Sequence, residues 1–280
     1  MSINLLVALQ AEAKPLIAHF RLKGLPPIAG FRCYGNDQIN LLVTGVGGVA
    51  MAAGVMAQGL AGLSTGEAIP SPVGWINIGI AGHQTLPLGS LTRVGKITDH
   101  GSGLCWYPPQ VLETDLLLKT LLTVASPLTY YPQDQLVDME ASGFFVTACR
   151  FAVGEAVQLV KVVSDNQDTG IDRLDGSIIS QLIEGSLTQL DQLIGSMQQL
   201  LSSNADGDAT PTELETFLLN WRFSKSQQFL LGRLLRDHRL LTGQSVDIAQ
   251  FSQVRRSADL LISLGQIIGP LRRGYKLPVI

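Results

Sequence analysis

Seven short runs rich in Val, Ile and Leu, at residues 3–9, 40–44, 74–80, 88–97, 119–124, 135–139 and 157–163, cut the sequence into strand-length apolar segments. Several lead straight into Gly-rich or helix-starting sequence, and a chain that keeps alternating in this way builds an α/β sandwich on a largely buried sheet. The helical candidates between the runs are 12–20, 47–61, 141–152 and 174–202. In the last, Leu174, Ile178, Leu182, Leu190, Ile194, Met197 and Leu201 recur at helical spacing and line one face, which is expected to pack across the sheet.

The pattern changes after this segment. The stretch SSNADGDATP gathers small, polar and helix-breaking residues, and Thr210 followed by Pro211 and Glu213 has the form of an N-cap and first helical turn. This divides the chain into residues 1–204, an α/β domain, and residues 205–280, a small helical C-terminal extension of two or three short amphipathic helices. Residues 205–280 carry ten Lys/Arg against seven Asp/Glu, whereas residues 1–204 carry ten against sixteen, so the extension is the basic part.

With 46% hydrophobic residues in 280, the chain can bury a large core, which excludes a mainly disordered protein. The net charge of −3 gives no global attraction to nucleic acid or anionic membrane. The opening MSINLLVALQAEAKPL has no cationic leader before its apolar run, and reads as a first strand; no apolar stretch reaches membrane-spanning length. A cytoplasmic protein is expected. Cys33, Cys105 and Cys149 are odd in number and far apart, and read as reduced, partly buried side chains. His19, His83, His100 and His238 lack ligand spacing, so neither a metal nor another cofactor is expected.

Three carboxylates fall where a predicted strand gives way to a turn or helix, the place where open α/β sheets hold ligands. Glu12 follows the first strand in LLVALQAEAKPL; it reads equally as a first-turn glutamate favoured by the helix dipole. Glu140 lies in LVDMEASGFF, where alternation puts Asp138 and Glu140 on one face if the strand continues, with Met139 on the other. Asp165 ends LVKVVSDNQD; period-two spacing puts Lys161, Val163 and Asp165 on one face and Ser164 on the other, although an Asp-Asn turn also explains the acid. In TGVGGVAMAAG, Gly45, Gly47 and Ala50 match the dinucleotide-binding spacing, but after the second strand and without an acid at a following strand end. Close backbone approach to a ligand, or tight helix–strand packing, is the simpler account.

Taken in order, INLLVALQAEAKPL, LLVTGVGGVAMAAG, WINIGIAGHQTLPLGSL, LVDMEASGFF and LVKVVSDNQD resemble the purine nucleoside phosphorylase and nucleosidase superfamily over about residues 3–203, most closely the methylthioadenosine/S-adenosylhomocysteine nucleosidases. That resemblance implies a three-layer α/β/α sandwich with a mixed twisted sheet and hydrolysis of the N-glycosidic bond of an adenosine-type, 5′-modified or plain, purine nucleoside. It implies that Asp165 shares a proton with N7 of the base, that Glu140 binds ribose hydroxyls with Met139 against the sugar, and that Glu12 activates water. Ala81 and Gly82 would line the substrate through backbone, Ser164 would support Asp165, and Lys161 stands where the nucleosidases usually have an arginine near the water. The resemblance also implies a homodimer.

The sequence departs from that pattern in three places. Ile80 replaces an expected small hydroxyl residue, the segment between Gly82 and Met139 is short, and the base-stacking aromatic is not identified, with Tyr130, Tyr131, Trp106 and Phe144 as candidates. The arginines with which phosphorylases grip phosphate have no evident counterpart, which favours water over phosphate as acceptor. The short GIAG and DME forms also resemble the hopanoid-associated branch and the futalosine hydrolases. A catalytically weak nucleoside-binding protein is the alternative from another class. The extension resembles nothing in the family: its helices are expected to pack on the sandwich or at a subunit interface, while Arg222, Lys225, Arg233, Arg236 and Arg239 allow a nucleic-acid or protein partner.

Overall fold

In the computed structural model, which describes residues 2–63, 73–128, 130–205 and 211–274, each apolar run becomes a strand. The strands are β1 (Ser2–Val7), β2 (Lys23–Ile28), β3 (Phe31–Gly35), β4 (Ile39–Val43), β5 (Val73–His83), β6 (Leu91–Asp99), β7 (Cys105–Trp106), β8 (Leu117–Thr123), β9 (Gln135–Asp138) and β10 (Val157–Asp165). All ten join one mixed sheet. β1 lies between β4 and β5, parallel to both, and β3 and β2 extend the sheet antiparallel beyond β4. On the other side the sheet closes on itself: β5 pairs with β10, β10 with β6, β6 with β8, β8 with β9, and β9 again with β5.

That closure depends on the length of β5. Its residues 73–77 pair with β1, but β1 ends at Val7, and β9 takes over the same edge only at Gly82 and His83. Between the two partners, β5 has a stretch of edge that neither strand fills. A buried N–H there must find another acceptor, and a gap in a ladder next to a strand end is a natural place for a ligand.

Helices cover both faces of the sheet. α1 (Gln10–His19), α4 (Gly176–Glu184) and α5 (Leu187–Ala205) bury Leu16, Ile183, Leu190 and Met197 against Leu5, Ile76, Ile78 and Val160. α2 (Gly48–Leu63) and α3 (Ala141–Ala148) bury Met51, Val55, Phe144 and Ala148 against Leu6, Leu42, Trp75 and Leu159 on the opposite face. The result is the expected three-layer α/β/α arrangement.

The single helix expected over 174–202 is two. Asp175 caps α4 by accepting from the N–H groups of Ser177 and Ile178, which leaves Leu174 outside it, and the chain turns at Gly185–Ser186 before α5 starts. The apolar spacing holds across the break, because α4 and α5 feed one core. The expectation of three partly buried cysteines also needs correction: all three are free, but Cys105 is exposed on β7.

The chain divides into two compact units, the first Met1–Gly62 with Ser71–Ser202 and the second built mainly on Ser203–Ile280. The second has its own core. α6 (Pro211–Asn220), α7 (Lys225–Thr242) and α8 (Ser257–Gly274) bury Leu214, Phe217, Leu231, Leu235, Leu260 and Leu264. Ser224 and Gln227 cap α7 reciprocally, Gly243 ends it in the left-handed conformation, and Trp221 Nε1 donates to the Val254 carbonyl at 2.7 Å. The helix start expected at Pro211 is present, while the Thr210 assigned to its cap lies outside the described residues. No helix among the described residues is long and apolar enough to cross a membrane.

Candidate active site

The gap along β5 opens into a cavity of the first unit. Glu12, Met139, Glu140, Ser164 and Asp165 all line it, together with Ile80, Ala81 and Gly82 of β5. Its remaining walls are mostly apolar, among them Leu9, Val46, Val124, Leu128, Ile171 and Leu174.

Glu12 sits in the first turn of α1 and folds back across the gap. Its Oε2 accepts from the N–H groups of Ala8 and Leu9 at 2.9 and 2.8 Å, and its Oε1 accepts from Ile80 N–H at 2.9 Å. The glutamate thus stands in the first turn of α1 and also lines the cavity. Ile80 brings no hydroxyl, but its backbone fixes the acid. Gly79 leaves the room these side chains use, since a β-carbon would come within 3.2 Å of Glu12 Oε1 and 3.4 Å of Lys161 Nζ. Burial raises the Glu12 pKa above its usual value of 4.5, against the lowering effect of the backbone donors and of Lys161.

Glu140 is the N-cap residue of α3, two residues past the end of β9. Its Oε1 accepts from Gly47 N–H at 2.7 Å. Gly45 and Gly47 both have φ near +90°, at 86° and 103°, a conformation that suits glycine and aims this loop's N–H at the acid. The Gly-rich segment thus holds a carboxylate of its own chain. Burial pushes the Glu140 pKa up and Asp138 adds to that, with Lys161 opposing.

The alternation read over 138–140 does not hold, since the strand stops at Asp138 and the helix begins. Asp138, Met139 and Glu140 all line the cavity, and Asp138 also pairs with Lys161. Lys161 Nζ lies 2.7 Å from Asp138 Oδ2 and donates to Asn77 Oδ1 at 2.8 Å. Asp138 in turn accepts from Thr123 Oγ1 and Ala141 N–H, both at 2.9 Å. Burial alone would discharge Lys161, but Asp138, Glu140 and Glu12 together raise its pKa and keep it cationic. Lys161 is fully buried and is absent from the cavity lining. The expected substrate contact would have to pass through Glu12 and Glu140, because the Lys161 ammonium is held by Asp138.

Period-two spacing fails at the end of β10 as well. Val163 pairs with Ala81 and Asp165 with the next residue, Gly82, so Ser164 is an extra residue in a bulge. The bulge re-aims the strand end, and Ser164 and Asp165 both line the cavity. Ser164 Oγ donates to Asp165 Oδ1 at 2.5 Å, and Tyr131 OH donates to Asp165 Oδ2 at 2.8 Å. Of the four aromatic candidates, Tyr130 and Tyr131 line the cavity, Phe144 is buried in the core of α3, and Trp106 is on β7. Tyr131 was a candidate for stacking on the base, but its hydrogen bond to Asp165 had no signal in the sequence, because a loop residue has no periodicity to mark its partner.

Three acids from three separate strand ends therefore share one mostly apolar cavity. No protein-family model matches the sequence, and a search of curated proteins returns no match. Solved structures do match. The 5′-methylthioadenosine/S-adenosylhomocysteine nucleosidase from S. pneumoniae, solved with a transition-state inhibitor, aligns at a TM-score of 0.54 with 17% identity, over 70% of this chain and 100% of its own. This is the nucleoside phosphorylase and nucleosidase fold. Futalosine hydrolase from Helicobacter pylori aligns at 0.52 with 15% identity over 70% of this chain and 97% of its own. The Arabidopsis thaliana 5′-methylthioadenosine nucleosidase aligns at 0.51 with 20% identity over 72% of this chain and 94% of its own.

Proposed function

We propose that this chain hydrolyses the N-glycosidic bond of an adenosine-type purine nucleoside and releases the base. The observation that carries the proposal is the convergence of Glu12, Glu140 and Asp165 on one cavity. Breaking this bond builds positive charge on the sugar and negative charge on the departing base, so anions belong on the sugar side and a proton donor on the base side. Glu140 faces the ribose hydroxyls and supports the cationic sugar. Asp165 hydrogen-bonds the base and carries the proton that neutralises N7 as the bond breaks.

Glu12 takes the proton of the attacking water. Three backbone donors fix its orientation, while burial raises its pKa above that of an exposed glutamate, the direction a general base requires. The apolar lining excludes stray water and strengthens these charges. A purine nucleoside, with a flat apolar base and a polar sugar, suits walls of this composition.

The relatives of this fold named above act on methylthioadenosine, S-adenosylhomocysteine or futalosine, which sets the substrate panel. In phosphate-free buffer, the protein is expected to release base from at least one of methylthioadenosine, S-adenosylhomocysteine, adenosine and futalosine, measured by chromatography. No release from any of them would defeat the proposal, and release only on adding phosphate would replace hydrolysis by phosphorolysis.

A further inference from the structure

Tyr131 stands between two chambers. One is the cavity of the three acids; the other is a polar hollow bounded by Gln84, Asn166, Gln167 and Asp172. Tyr131 lines both, as do Leu128, Tyr130 and Ile171. From this wall its hydroxyl reaches Asp165 Oδ2, and its ring packs on Gly82, where a β-carbon would meet Tyr131 Cε1 at 2.9 Å and Asp165 Oδ2 at 2.7 Å.

With Ser164 on Oδ1 and Tyr131 on Oδ2, both oxygens of Asp165 already accept a hydrogen bond from the protein. Under the function proposed above, on which this inference rests, a purine base needs the same carboxylate. The 6-amino group of an adenine-type base and the tyrosine hydroxyl are both donors to this carboxylate, and the Gly82 backbone leaves little room beside Oδ2.

We infer that Tyr131 gates the base site: its hydroxyl and the purine base exchange places at Asp165 Oδ2, and the displaced hydroxyl passes to Asp172 across the second chamber. The second chamber, with a volume of about 410 Å³, has space for a phenol. Its wall includes Asp172, an exposed carboxylate that can accept the displaced hydrogen bond. Burial, then Asp165, then Asp172 hold the phenol's pKa above its usual value of 10, so Tyr131 keeps its proton and remains a donor in either position.

The test is calorimetric binding of free adenine to the full-length protein, with nucleoside kinetics beside it. Removing the competing hydroxyl in Tyr131→Phe should tighten adenine binding about tenfold and lower the nucleoside KM in proportion. Asp172→Ala should weaken adenine binding about threefold by removing the second acceptor, and should have no effect in the Tyr131→Phe background. Unchanged or weaker adenine binding in Tyr131→Phe, beside measurable binding in the parent, would overturn the gate and leave the hydrolase reading intact. A fall in kcat with KM unmoved would make Tyr131 a support for Asp165 in the bound complex and also overturn the gate. Failure of both proteins to bind adenine or cleave any nucleoside would overturn both readings.

Discussion

Glu12 ties activity and stability to pH in opposite directions. Its folded-state pKa is raised, so protonated Glu12 is the form the fold prefers. The stability it contributes is complete below the ordinary value of 4.5 and is lost as the pH rises through the raised value. A general base needs the ionised form, so kcat/KM should rise over the same window, and its acid limb should lie above the usual carboxylate range. Glu12→Gln should cost at least about 10²-fold in kcat and abolish that limb, and Asp165→Asn should cost a similar factor while leaving it in place. A pH profile of each variant separates the two roles. Lys161 poses a different kind of test, since a buried cation and anion depend on each other. Lys161→Met strands Asp138 and should cost roughly 3–5 kcal/mol in a urea melt, whereas adding Asp138→Asn should recover part of the loss. At this scale the sequence was informative for acids at strand ends, where topology places ligands. It was silent on which partner each would take: Asp138 captured Lys161, and Tyr131 found Asp165, through contacts 23 and 34 positions apart in sequence.

At the scale of elements, the site depends on α2 and α3 meeting almost backbone to backbone. A β-carbon on Gly143 would lie 2.1 Å from the Gly48 carbonyl oxygen, and rigid main chain cannot yield as a side chain would. Gly143→Ala should therefore destabilise the protein by about 3 kcal/mol or more, and, because the same crossing seats Glu140 on Gly47, it should lower activity in whatever protein still folds. Gly195 in α5 makes the opposite case. An added β-carbon meets nothing within 4 Å, so Gly195→Ala should stabilise by roughly 0.5–1 kcal/mol through helix propensity alone. Thermal melts of the two variants should move in opposite directions. The same distinction explains which elements were legible. Seven strands announced themselves as apolar runs and the segment 174–202 by its apolar period, because their faces feed the core, and the other helical segments followed as the stretches between the runs. β2 did not: Pro26 and Pro27 interrupt it, its residues are mostly exposed, and its pairing with β3 shifts register between Leu25 and Ile28. It survives as an edge strand, the one position where prolines lose no ladder bond that matters. The Ser164 bulge was equally hidden, because a bulge is a property of two paired strands and only one of them carries Ser164.

At the scale of the molecule, the chain contains two sets of cores that share no residue. The sandwich buries its apolar side chains on the two faces of the sheet, and the C-terminal helices bury theirs around Leu231 and Leu235. Across this division the sequence changes from strand-length runs to amphipathic helices, and its charge balance changes from acidic to basic. Independent cores need not unfold together, so calorimetry of the full chain should resolve a larger and a smaller transition. Leu231→Ala removes a fully buried side chain from the second core and should cost that unit roughly 2–5 kcal/mol, moving the smaller transition down while the larger one stays in place. Adenine should do the reverse: a ligand held in the first unit raises only the transition of the unit that binds it, by an amount that grows with its concentration over its dissociation constant. A single transition that both Leu231→Ala and adenine shift would show that the helices unfold with the sandwich, and the basic extension would then have to be treated as part of the enzyme body. Two transitions that respond separately would leave its arginine-bearing helix α7 in a unit whose partner can be sought without disturbing the site.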